Sequence, residues 1–100
     1  MVKVGLLVRL VAKAGKEQVV AEFLGGALPL AQAEPDTVTW YAVRISHNEF
    51  AIFDTFPSDK GRQAHLNGPI AAALMANAAD LLAEPPRIEQ IDVLASKLPG

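Results

Sequence analysis

Three stretches of this chain alternate with a period of two residues, yet each is apolar on both faces. Residues 2–13 place Val4, Leu6, Val8, Leu10 and Ala12 on one side and Gly5, Leu7, Arg9 and Val11 on the other. Thr37–Ile45 and Phe50–Phe56 have the same two-sided character and are rich in β-branched and aromatic residues. A strand of this kind needs cover on both sides. Between the strands the spacing becomes helical. Val19, Val20, Phe23, Leu24, Ala27 and Leu28 follow Gly15 at helical intervals, and Gly25-Gly26 with Pro29 predict a kink or an early end. Ser58 is suited to cap a helix over about 59–66, and Gly68-Pro69 breaks that helix and starts another. Ile70, Leu74, Met75, Ala78, Leu81 and Leu82 form the expected buried stripe of the second helix, Pro85-Pro86 its end, and Ile88–Leu94 a final strand.

Strand, helix, strand, strand, broken helix, strand predicts one α+β domain over residues 1–100. The expected form is ferredoxin-like βαββαβ, a four-stranded antiparallel sheet with helices on one face. A two-residue turn at His47-Asn48 would pair Ile45 with Phe50, Val43 with Ile52, Tyr41 with Asp54 and Thr39 with Phe56. In that register Tyr41, Phe50, Ile52, Asp54 and Phe56 face the helices, while Trp40, Arg44 and Phe53 face outward. Hydrophobic residues make up 51% of the chain and mean hydropathy is +0.24, more apolar surface than one small core uses. A second copy laid sheet to sheet would cover the excess, so a homodimer is expected.

Charge and motifs narrow the function. The nine basic residues are scattered and net charge is −2, which argues against nucleic acid. No run of about 18 apolar residues is present to span a membrane, and the N-terminus does not read as a signal peptide, so a cytoplasmic protein is expected. Cysteine is absent, and the two histidines lie 18 residues apart, which gives little support for a metal. A glycine-rich phosphate loop and a GxSxG elbow are both lacking.

Two polar residues attract attention. Asp54 lies among Phe50, Ile52 and Phe56 and needs a partner; the Tyr41 hydroxyl and His65 both qualify. His65 is suited to take a proton near neutral pH. The alternatives are a structural histidine, and a structural or edge aspartate. Trp40 is suited either to interface packing or to a substrate wall. Phe50 and Met75 are further candidate wall residues, although Met75 also fits a core position.

The segment Phe50-Ala51-Ile52-Phe53-Asp54-Thr55-Phe56, followed by Ala64-His65-Leu66-Asn67-Gly68-Pro69, resembles a signature of the antibiotic biosynthesis monooxygenase family. Asp54 stands where glutamate is commoner. The resemblance spans nearly the whole chain, with residues 50–69 the distinctive part. It implies a dimeric α/β barrel and, for some members, oxidation of phenols or quinols without metal, flavin or haem. The implied site is His65 and Asp54 as catalytic residues, with Tyr41, Phe50, Met75 and Trp40 contacting a small aromatic substrate and no cofactor. The competing expectation is a non-enzymatic dimeric domain that binds an apolar molecule or serves assembly. Haem-degrading relatives of the fold pair a helix histidine and a tryptophan with a first-strand asparagine, which this chain lacks.

Overall fold

The computed structural model describes residues 1–99. Its elements are β1 (Val4–Val11), α1 (Glu17–Gly26), α2 (Leu28–Gln32), β2 (Thr39–Arg44), β3 (Glu49–Phe56), α3 (Asp59–Leu66), α4 (Pro69–Leu81) and β4 (Arg87–Asp92). The strands form one antiparallel sheet in the order β2-β3-β1-β4. This is the expected ferredoxin-like arrangement, with the helices on one face. The helix breaks fall where poor helix formers predict them. The chain leaves α1 after Gly25-Gly26 and restarts at Leu28-Pro29, and Gly68 stands ahead of Pro69 at the start of α4. Ser58 occupies the position before α3, but its side chain makes no capping bond.

The core lies between sheet and helices. Val8, Leu10, Phe50 and Ile52 from the sheet meet Val20, Leu24, Leu74 and Leu82. A void of about 10 Å³ remains among Leu10, Val20, Phe23 and Leu74, room for a single water. The expected placement of Met75 in this core is incorrect: it is 58% exposed on α4, and Leu74 takes the inward position.

The β2–β3 register also differs from expectation. Thr39 pairs with Thr55, Trp40 with Asp54, Tyr41 with Phe53, Ala42 with Ile52, Val43 with Ala51 and Arg44 with Phe50. Ile45 N–H bonds to the Glu49 carbonyl, so three residues, Ser46–Asn48, make the turn instead of two. One extra turn residue shifts the register by one and moves every β2 side chain to the opposite face. Trp40 therefore turns toward the helices and packs on Ala27, Ala31 and Ile70. Tyr41 turns outward and is 53% exposed. Arg44 also lies on the helix side, with its guanidinium 4.9 Å from the Phe50 ring centroid.

Two glycines fix the spacing around Asp54 and the loop after α2. A Cβ on Gly5 would lie 2.6 Å from the Asp54 carbonyl oxygen, and one on Gly61 would lie 2.9 Å from Asp36 Cβ. Both approaches are too close for any side chain, so β1 can lie against β3, and α3 against the loop, only with glycine at these points.

Candidate functional site

Asp54 sits in mid-β3 on the helix side and has no exposed surface. Its position is set by two sheet neighbours, Leu6 on β1 and Trp40 on β2. α3 then brings His65 over it. Arg62 anchors that helix, donating through Nη1 to the carbonyls of Gly5 at 3.3 Å and Ile91 at 3.1 Å, while Asp59 pairs with the same guanidinium at 2.9 Å. Three residues on, about one helical turn, His65 points inward and is 7% exposed. Its ring packs against Phe56 with centroids 5.5 Å apart.

Both ring nitrogens of His65 meet carboxylates. Nε2 lies 3.0 Å from Asp54 Oδ2, and Nδ1 lies 2.5 Å from Glu34 Oε1. The Glu34 contact is an aligned hydrogen bond, whereas neither Asp54 oxygen has an aligned donor among the described residues. The Asp54 contact is therefore best described as a close charge pair. Glu34 Oε1 also accepts from the Thr37 hydroxyl at 2.6 Å. Glu34 Oε2 is enclosed and has no donor among the described residues.

Glu34 follows α2 in the tight Glu34-Pro35-Asp36 turn, and no sequence pattern singles it out as more than a turn residue. The available signal was an acidic side chain beside a proline-fixed bend, which says nothing about a histidine 31 positions away.

The cluster borders an open cleft of about 330 Å³, formed by the end of α2, the loop after it, α3 and the start of α4. Leu30, Ala33 and Ala64 give it an apolar wall; Glu34, Asp36 and His65 give it a charged one. Its size is at the lower end for small-molecule sites. The space between sheet and helices is filled, and the cleft lies among the helices and their loop. The expected wall residues are dispersed. Tyr41 and Trp40 border a different recess with Val38, Leu98 and Pro99; Phe50 borders a third with Leu24 and Arg44; Met75 stands in solvent. Of the residues singled out from sequence, His65 and Asp54 come together, Trp40 lies beside Asp54 across the sheet without reaching the cleft, and Tyr41, Phe50 and Met75 do not join them. Tyr41 in particular cannot be the Asp54 partner, because the register places it on the opposite face of the sheet.

The His65 pKa is raised. Burial pulls it down, but the close Asp54 carboxylate, the hydrogen bond to Glu34 and the charge of both outweigh that cost. A folded value above the unfolded one of about 6.5 gives stability that is fully present below pH 6.5. That stability is lost as pH rises through the folded value. Urea unfolding in steps upward from pH 6 should therefore show falling stability for the native protein and a flatter profile for His65→Gln. Equal slopes in both would show that the pair is not coupled to folding.

No family model and no curated protein matches the chain. Among solved structures, the protein of unknown function NE2512 from Nitrosomonas europaea is 56% identical, with a TM-score of 0.98 over 100% of this chain and 97% of that one. Rv0793 from Mycobacterium tuberculosis has a TM-score of 0.83 at 16% identity, covering 94% of this chain and 97% of that one. A structure described as an antibiotic biosynthesis monooxygenase has a TM-score of 0.79 at 10% identity, covering 92% of this chain and 99% of that one. The chain belongs to the same protein family as NE2512, and its fold is that of the antibiotic biosynthesis monooxygenases.

Proposed function

We propose that the chain is a cytoplasmic, cofactor-independent monooxygenase for a small phenol or quinol bound in the cleft beside His65. The observation that carries this reading is the Glu34–His65–Asp54 array opening onto that cleft. Once His65 is neutral, with its remaining proton on Nε2 toward Asp54, the Nδ1–Glu34 contact has lost its proton and Nδ1 can accept another. A substrate hydroxyl at the cleft wall gives its proton to the Glu34 carboxylate, and Glu34 passes it to Nδ1. The imidazolium so formed rests between two carboxylates, the arrangement that raises its pKa and makes His65 a stronger base. The substrate anion is electron-rich and can give an electron to oxygen directly. For a hydroquinone the balance closes without another reductant: hydroquinone and O2 yield hydroxyquinone and water. The quinol supplies all four electrons, one oxygen atom enters the ring and the other leaves as water.

Oxygen uptake by metal-free protein with a panel of hydroquinones tests this. Protein-dependent uptake with one water formed per oxygen is expected; no uptake beyond the spontaneous rate with any of them would sink the enzyme reading. The non-enzymatic module would then take its place. One observation favours that second reading: both ring nitrogens of His65 already have partners, as in a purely structural pair.

The homodimer belongs to the same proposal. On the corrected register the outer sheet face carries Leu7, Phe53 and Ile91, with Tyr41 and Val43 exposed at 53% and 45%. A contiguous apolar face of this kind favours a second copy laid across it. Sedimentation equilibrium at micromolar concentration should give twice the 10.6 kDa chain mass; a clean monomer would remove the proposal.

A further inference from the structure

Two features near the cleft ordinarily attract anions: a histidine with a raised pKa and the N-terminal end of a 13-residue helix, α4. Neither is free to do so. The His65 ring is met by two carboxylates, one at each nitrogen. At the start of α4, the Glu34 carboxylate is already present, its unpaired Oε2 3.4 Å from where a Gly68 Cβ would stand, and Pro69 has no N–H to offer. Asp36 adds a second acidic side chain to the cleft wall, and no lysine or arginine lines it among the described residues. The apolar part of the lining, Leu30, Ala33 and Ala64, is suited to a ring face.

We propose that Glu34 sets the charge of the ligand, so that the cleft takes a neutral hydroxylated aromatic and turns away its carboxylated analogue. This rests on the cleft being a ligand site, and it names which members of the phenol and quinol class can enter. An added carboxylate would meet Glu34 and Asp36 across a partly desolvated space, with only the His65 ring, already held between two carboxylates, to answer it. Like-charge juxtaposition of this kind is the usual source of discrimination against a near-identical ligand.

The test is a binding measurement, independent of turnover. Amide chemical shifts would be followed at neutral pH while hydroquinone or 2,5-dihydroxybenzoate is added. Hydroquinone should perturb Ala33, Ala64 and Gly68, and the dihydroxybenzoate should bind about tenfold more weakly or worse. Glu34→Gln should narrow the gap to about threefold or less, chiefly by improving binding of the carboxylated compound. Should that variant fail to fold, Asp36→Asn, exposed and outside the His65 array, should narrow the gap in the same direction. Equal binding of the two compounds to the native protein, or an unchanged tenfold gap in the folded variant, overturns the proposal. Hydroquinone binding without oxygen uptake would sink the monooxygenase reading and leave this inference standing. Binding of neither compound would sink both.

Discussion

Replacing His65 by alanine should cost about 3–5 kcal/mol of folding stability, the scale expected when one member of a buried ion pair is removed. The reason lies in what remains. Asp54 has no exposed surface, its oxygens have no aligned donor among the described residues, and the His65 ring is the charge beside it. Without the imidazole its charge has nothing to answer it, and water has little access to it. Glu34 loses one of its two donors and keeps the Thr37 hydroxyl. The ring also leaves a gap beside Phe56, which is itself fully buried. The double change His65→Leu with Asp54→Leu should recover much of the loss, because an apolar pair removes the stranded charge. Chemical denaturation of the three proteins measures this. A loss below about 1 kcal/mol in His65→Ala would mean that Asp54 is not held as a buried charge.

Oxygen uptake should fall by about a hundredfold or more in Glu34→Gln, the usual scale for removing a general base. The amide keeps the size of the side chain and can still accept from Thr37, but it cannot take up the substrate proton. On the proposed activity the native protein should also show an acid limb: turnover rises with pH as His65 loses its proton, because only the neutral ring can receive the next one. That rise should coincide with the pH range over which stability falls, since one titration governs both. Native rates in Glu34→Gln would remove Glu34 from the proton path. A turnover profile flat across the range in which the stability of the native protein changes would remove His65.

Sequence by itself determined the fold and one half of the site. Two-sided apolar strands and helical spacing between them leave few ways to bury the chain, so element order carried the architecture. The poor helix formers at Gly25-Gly26 and Gly68-Pro69 marked the breaks because their backbone preferences act locally. His65 and Asp54 were legible because a charge among Phe50, Ile52 and Phe56 demands a partner, and a histidine on the following helix can be one. Tertiary structure decided the rest. The Ser46–Asn48 turn has three residues, and that single residue exchanges the faces of Trp40 and Tyr41, because side chains in a strand alternate with a period of two. Glu34 was invisible because its role depends on where the loop after α2 lies against α3, with Gly61 permitting the approach, and no periodicity records such a contact. The cleft, too, exists only once that loop, α3 and the start of α4 are assembled. The sheet side is filled by close packing, so space for a ligand arises where three helix ends and a proline-fixed bend cannot close against one another.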